Sequence, residues 1–269
     1  MCLKASLLLA VYNRPAIVHR TLLGLTRQSC QNFEIIVCDD GSGQEIKDVL
    51  SRFEEKFKDR LIHVWQEHRG FRKCRILNEG ILHARSDYLI FLDSDCIPHR
   101  EFVNTHINKR QPGFFLVGRG LIMGKKLTEQ LSDNDILSGK LERLYFLLLH
   151  YNHLRHISAG LYMPWLHKLR SSPLVLKGCN FSCFLKDMWQ INGFDEQFDT
   201  PGTGEDTDIE RRFRLIGLKP VSVKYSALCY HQYHPFVERV INKNSVENTS
   251  CIASYGLKEH SAESSRIKT

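Results

Sequence analysis

The chain has 269 residues, 42% hydrophobic and 25% charged, with a formal net charge of +7. Such a chain can fill one large globular domain, or a domain with an appendage, and its composition excludes a disordered or low-complexity protein. The modest positive charge suits an anionic ligand or a membrane surface without requiring either.

Lys4–Val11 reads as a buried strand that ends at the turn-like Asn13-Arg14-Pro15. Ile17–Gln28 reads as a helix. Phe33–Cys38 is a second strand, broken by Asp39-Asp40-Gly41-Ser42. Glu45–Phe57 is a charged amphipathic helix and Leu61–Trp65 a third strand. Arg72–Ala84 is a helix with Ile76, Leu77, Gly80, Ile81 and Ala84 facing inward. Tyr88–Leu92 is a fourth strand, and Phe115–Gly118 a later one. Helices between apolar strands predict an α/β fold, a Rossmann-like, mostly parallel sheet flanked by helices with right-handed crossovers. Ligands of such sheets bind beyond the carboxyl ends of the strands. That rule gathers three polar tips: Tyr12-Asn13-Arg14, Asp39-Asp40 and Asp93-Ser94-Asp95.

Met123–Ser172 is less regular, mixing charged, histidine-rich and aromatic segments. A sharper block starts at Leu174 and leads to a strand pair around Pro220–Val223 and Ala227–Tyr230. From about Asn242 the chain is polar and reads as a mobile or loosely docked tail. No stretch approaches the roughly 20 apolar residues of a membrane helix. The apolar run near the start is too short for a signal peptide and lacks a small-residue cleavage site. The nine cysteines are scattered without a Cys-x-x-Cys pair. Their spacing indicates neither a disulfide frame nor a structural zinc site, and they read as reduced thiols of a cytoplasmic protein.

Five constellations can carry chemistry. Asp93 and Asp95 alternate onto one side of an extended segment. They either cap a turn or hold a cation between them, and oxygen ligands at a strand tip suit Mg²⁺ or Mn²⁺. Asp39 and Asp40 are either turn residues or acceptors for a nucleobase imide or ribose hydroxyl. Arg72, Lys73 and Arg75 crowd the start of a helix, where its dipole disfavours cations. They form either a basic surface or a diphosphate cradle. In Gly202–Arg212, Thr203 can cap a helix whose first turn holds Glu205, Asp206 and Asp208. One of those carboxylates can instead serve as a general base. His231 and His234, three apart after a strand, are either structural or complete a metal site.

The segments SLLLAVYNRP, FEIIVCDDGS, HRGFRKCRILNEGI, DYLIFLDSDCIP, GCNFSCFLKDMWQINGFDE, GEDTDIERRF and YHQYHP occur in an order that resembles family 2 glycosyltransferases of the GT-A fold. The likeness is to the bacterial branch with a C-terminal galactosyltransferase-like block, and it spans roughly Ser6–Pro235. It implies a GT-A domain over 1–241, with a nucleotide-sugar-binding half (1–122) and an acceptor and catalytic half (123–241), followed by a tail (242–269). It implies that Ala10, Tyr12, Arg14 and Asp39 hold uracil and ribose, and that Arg72 or Arg75 with Asn78 lies near the base and diphosphate. Asp93 and Ser94 would face the ribose or the metal. Asp95 would ligate Mn²⁺ or Mg²⁺ directly, with His234, or alternatively His231, as a later ligand. Asp206 resembles the catalytic base, and Glu205 a hydrogen-bond partner of donor or acceptor hydroxyls.

The implied activity is inverting, metal-dependent transfer of a hexosyl group from a UDP-sugar to a saccharide or lipid-linked saccharide. The setting would be surface polysaccharide or lipopolysaccharide synthesis, at the cytoplasmic side and with no nucleic acid partner. The basic and aromatic residues Arg155, Tyr162, Trp165, Lys168 and Arg170 either form solvated faces and core or make a peripheral contact with the membrane's inner face. One departure bears on sugar choice: relatives often carry Trp-Gly before the Glu-Asp pair, where this chain has Pro201-Gly202-Thr203-Gly204. A nucleotidyltransferase would show a glycine-rich phosphate loop, which AVYNRP is not. A non-catalytic nucleotide-sugar-binding module remains the other reading.

Overall fold

The structure, a computed structural model, describes residues 3–168, 174–202, 204–235 and 250–261. Strands β1 (Ala5–Val11), β2 (Phe33–Asp39), β3 (Leu61–Trp65) and β4 (Tyr88–Asp93) alternate with helices α1 (Pro15–Thr26), α2 (Gln44–Phe57) and α3 (Lys73–Leu82). The chain continues through β5 (Cys96–Pro98), α4 (Phe102–Lys109), β6 (Phe114–Val117) and β7 (Arg119–Met123). Three short helices follow, α5 (Lys125–Gln130), α6 (Asp133–Leu137) and α7 (Leu144–Leu149), and then β8 (Leu154–Arg155). The last elements are β9 (Phe181–Phe184), α8 (Leu185–Gln190), α9 (Glu205–Leu215), β10 (Lys219–Ser222) and β11 (Leu228–His231).

Seven strands form the main sheet in the order β10-β6-β9-β4-β1-β2-β3. All its pairings are parallel except those of β9, which runs antiparallel to β4 and β6. Alternation divides the core between two faces. Leu7, Leu9, Ile35, Val37, Ile90 and Leu92 pack toward α1, α2 and α4. Leu8, Ile36, Cys38, Leu89 and Phe91 pack toward α3, α8 and α9. Each such buried aliphatic side chain contributes about 1.5–3 kcal/mol, so these strands stay buried on both faces. A smaller sheet, β5-β11-β7-β8, leans on the carboxyl side of β4.

Two expectations change. The segments near 220 and 228 do not pair with each other. β10 lies parallel beside β6, and β11 enters the small sheet between β5 and β7. The tail is not loosely docked where it is described. Ala253 donates its N–H to the Ile191 carbonyl, Leu257 is fully buried, and the His260 ring pairs with Glu79. The expected Thr203 cap, Arg170, the Lys168 side chain and tail residues 242–249 and 262–269 lie outside the described residues.

Candidate active site

Parallel register brings the strand tips together as expected. Ala10 lies opposite Cys38 on one side and Asp93 on the other, and Val11 lies opposite Asp39. A cleft of roughly 930 Å³ opens above them. It is lined by Arg14, Lys73, Asp93, Asp95, Glu205, Asp206, His231 and His234. Ala10 lies beneath, in a small cavity it shares with Lys73, Asp93, Gly178, Glu205 and Asp206.

The first tip is strained. Asn13 and Arg14 hold left-handed φ angles of 51° and 59°, a conformation that costs side-chain-bearing residues about 1–3 kcal/mol each. The Asn13 N–H donates to Ser42 Oγ at 2.8 Å, which fixes the turn. Tyr12 is exposed and stacks on His68 with ring centroids 4.5 Å apart.

The two acids of the second tip serve the backbone around them. Asp39 is fully buried, accepting from the Ser42 N–H at 2.8 Å and facing His63 Nε2 at 2.9 Å. Asp40 accepts from Gln66 Nε2 at 2.6 Å and from the Arg72 N–H at 2.8 Å, closing the loop before α3. Three predicted ligand contacts are likewise occupied inside the protein. The Arg72 guanidinium donates to the Glu67 carbonyl, and Arg75 pairs with Glu196 at 3.2 Å. Asn78 is fully buried, and its amide is divided between Phe194 and Glu196 at 2.9 Å each. Ser94 contributes backbone contacts, its N–H donating to the Ala10 carbonyl and its carbonyl accepting from Thr21.

The third tip splits its two acids. Asp93 Oδ1 is 2.7 Å from Lys73 Nζ. Asp95 Oδ2 is 3.0 Å from His234 Nε2 and 3.4 Å from His231 Nε2. One ligand atom from each of Asp95, His231 and His234 fits within 4.8 Å, a spacing that can close on one cation, and Asp93 is not among them. The Gln232 backbone N–H donates to the Asp95 carbonyl at 2.8 Å, so β11 is tied to the acid it faces. His234 Nδ1 also faces the Pro235 carbonyl at 3.0 Å. With an oxygen acceptor on each ring nitrogen, the bond to Asp95 outweighs burial and raises the His234 pKa. Burial pushes the Asp95 carboxyl up, but the two imidazoles reverse this and lower it. His231 Nδ1 is buried without a hydrogen-bond partner among the described residues. Two imidazole nitrogens and a carboxylate form a mixed nitrogen and oxygen donor set that suits a first-row divalent ion.

Across the cleft, α9 begins at Gly204, whose φ of 116° favours glycine. Glu205 and Asp206 occupy its first turn. Asp206 Oδ2 accepts the Gly178 N–H at 2.8 Å. A Cβ at Gly178 would collide with Asp206 Oδ1, so only glycine lets backbone approach this carboxylate. Burial first, and then Asp93 and Glu205, raise the Asp206 pKa to about 6, against the opposing pull of Lys73 and the Gly178 N–H. The resemblance required only an ionised base, so the size of this shift was not foreseen. Lys73 is pulled down by burial, but Asp93, Asp206 and Glu205 overcome this and raise its pKa. In sequence Lys73 is one of three basic residues at the start of α3, and nothing local sets it apart, because its three carboxylate neighbours come from β4 and α9. Gly178 carried no signal of its own.

The sequence profile of glycosyl transferase family 2 matches residues 6–156, more than half of the chain, and the chain belongs to that family. A validoxylamine A glucosyltransferase of Streptomyces hygroscopicus subsp. jinggangensis is 27% identical over 234 residues, covering 81% of this chain and 53% of the relative. A chondroitin synthase of Escherichia coli is 25% identical over 265 residues, covering 90% of this chain and 37% of the relative. The chain thus spans about half, or less, of these relatives. Among solved structures, the Pyrobaculum calidifontis mannosyltransferase PcManGT, in complex with GDP-Man and Mn²⁺, aligns with a TM-score of 0.55 at 16% identity. That alignment covers 86% of this chain and 57% of PcManGT. GalNAc-T7, solved with UDP, GalNAc and Mn²⁺, aligns with a TM-score of 0.60 at 15% identity, covering 87% of this chain and 44% of the other. The fold is GT-A.

Proposed function

We propose that this glycosyltransferase is an inverting, metal-dependent hexosyltransferase that uses a UDP-sugar and a saccharide or lipid-linked saccharide acceptor. The observation that carries the reading is that Asp206 and the Asp95–His231–His234 cluster line one and the same cleft. Asp95, His231 and His234 would hold Mn²⁺, which when bound neutralises charge on the departing nucleoside diphosphate. Lys73 holds Asp93 in place and keeps a positive charge at the cleft floor. Asp206 takes the proton of the acceptor hydroxyl as that oxygen bonds to the anomeric carbon and the bond to the diphosphate oxygen breaks. A single displacement from the opposite face inverts the configuration. Tyr12 and Arg14, on the strained first tip, border the nucleoside in this reading, with the buried Asp39 supporting the turn behind them, and Glu205 meets sugar hydroxyls.

The experiment is calorimetry of UDP, GDP, CDP and dTDP, each with Mn²⁺ and with EDTA, followed by UDP-sugar turnover. Tight binding of UDP only with metal supports the donor assignment. A preference for GDP keeps the family and overturns the donor. UDP binding without turnover of any UDP-sugar and acceptor pair returns the chain to a binding module. Division at 122 and 241 belongs to the same reading, and so does a role in surface polysaccharide or lipopolysaccharide synthesis at the inner face of the membrane. No helix among the described residues is long and apolar enough to cross a membrane. α7 exposes Leu144, Leu148 and Leu149 beside the exposed Arg143, a face suited to the surface of an anionic bilayer. Co-sedimentation with anionic vesicles that survives Leu148→Ser and Leu149→Ser together would remove that part of the proposal.

A further inference from the structure

Behind the cleft, three cysteines far apart in sequence converge. The sulfurs of Cys96, Cys179 and Cys229 all lie within 4.8 Å of one another. Cys96 is on β5, Cys229 on β11, and Cys179 follows the Gly178 that donates to Asp206. Cys96 and Cys229 are fully buried, and Cys179 is partly buried. The Asn180 amide reaches Cys229 Sγ at 3.8 Å, a donor suited to a sulfur carrying negative charge. Gly120 faces Cys229 without a side chain, and a Cβ there would sit 3.3 Å from the sulfur. Apolar packing alone gives no reason to bring three thiols together, whereas a soft cation does.

We propose that Cys96, Cys179 and Cys229 form a second cation site, distinct from the Asp95–His231–His234 cluster, that takes a soft, thiolate-seeking ion of the zinc or monovalent-copper kind. Metal–sulfur bonds of about 2.3 Å place ligand sulfurs roughly 3.8–4.0 Å apart in tetrahedral or trigonal geometry. The observed spacing needs only a small closure to reach that. On binding, the three S–H groups lose their protons to solvent and three sulfur–metal bonds form, with no change in oxidation state. The two sites differ in chemistry, three sulfurs against two nitrogens and a carboxylate. They are nonetheless adjacent, because Cys96 Sγ donates to Asp95 Oδ1 at 3.3 Å while Oδ2 faces the imidazoles. An ion on the sulfurs ties together β5, β11 and the segment at 178–180. Those pieces respectively follow Asp95, carry His231 and donate to Asp206. The ion is therefore a structural staple beneath the cleft, and spacing along the chain gives no sign of it.

The test uses cobalt(II) as a spectroscopic probe on the reduced full chain, with zinc(II) and copper(I) in competition. Thiolate-to-cobalt charge-transfer absorption is expected in the wild type, at one site per chain, and in the Asp95→Ala/His234→Ala variant. It is expected to be lost in Cys179→Ser and displaced by either competing ion. Absence of that absorption from the folded wild type overturns the proposal without any variant, and so does its persistence in Cys179→Ser. If it disappears in Asp95→Ala/His234→Ala while that variant stays folded, there is one site and not two. The readout is independent of transfer, so its failure leaves the glycosyltransferase reading standing.

Discussion

Asp206 lies among charges of both signs, with Lys73, Asp93 and Glu205 all acting on its carboxyl. Its pKa of about 6 lies above the value of ~3.9 for a free Asp. The folded protein therefore binds a proton here more readily than the unfolded chain does. That contribution to stability is full below the unfolded pKa and is lost as pH rises through about 6. Holding Asp206 ionised at neutral pH thus costs stability. Two outcomes follow for Asp206→Asn. Transfer should fall by about 10²–10⁴-fold while UDP binding is kept, and the melting temperature at pH 7 should rise, reflecting up to about 3 kcal/mol. A variant that retains transfer would show that the base lies elsewhere. The second prediction concerns pH. Because a base must be unprotonated, kcat/KM of the wild type should decline below about pH 6, following the free-enzyme pKa of Asp206. Lys73→Gln removes the positive charge that lowers this pKa, so the acid limb should move to higher pH. An unmoved limb would assign it to another group.

At the scale of the element, α9 does more than present Asp206. Along one face, Asp206 accepts the Gly178 N–H at 2.8 Å, Glu210 accepts the Leu176 N–H at 2.6 Å, and Arg214 donates to the Leu174 carbonyl at 3.1 Å. Spacing of four residues stacks these side chains along a helix, and together they strap the 174–178 segment down. Arg212, almost fully buried, fixes the opposite side by donating to the Ile191 and Gly193 carbonyls while pairing with Asp208. Glu210→Ala should leave the buried Leu176 N–H without its partner. The expected cost is about 1–3 kcal/mol of stability, with a larger drop in kcat than in nucleotide affinity. Glu210→Gln keeps an acceptor and should recover most of both, as urea melts and nucleotide titrations would show. Here the sequence reaches its limit for physical reasons. Strands β1, β2 and β4 were legible because their apolar runs are buried on both faces, and parallel topology then placed Asp39, Asp93 and Asp95 at a common edge. Strapping by α9 was not legible, because the partners are backbone N–H groups of an aperiodic segment. The paths of β10 and β11 were hidden for a related reason. Each is four residues long, and length and pattern alone do not say which sheet such a strand joins. Asn78 and Arg75 looked like ligand contacts from their place in a basic motif. Their partners, Phe194 and Glu196, lie more than a hundred residues away.

For the whole molecule, the proposed metal site is a junction. Asp95 lies between β4 of the main sheet and β5 of the small one, and His231 ends β11. Asp95 and His234 are 139 residues apart in sequence. A cation bound there would close a long loop and join two sheets, so its affinity should appear as folding stability. At about 100-fold excess over its dissociation constant, an ion that binds only the folded state adds about 2.7 kcal/mol. In a chain of this size that raises the melting temperature by roughly 5–10 °C. Protons compete for the same atoms. His234 has its pKa raised by Asp95, and Nε2 must lose its proton before it can ligate. Below the unfolded His value of ~6.5, the protonated pair stabilises the metal-free fold and opposes the ion. As pH rises through the higher folded value, that contribution disappears and the ion gains. The Mn²⁺-induced rise in melting temperature should therefore be larger at pH 8 than at pH 6, and Asp95→Ala or His234→Ala should abolish it at both. The same rise at both pH values would mean that His234 gives up no proton to the ion. A rise that survives Asp95→Ala would place the ion elsewhere in the molecule.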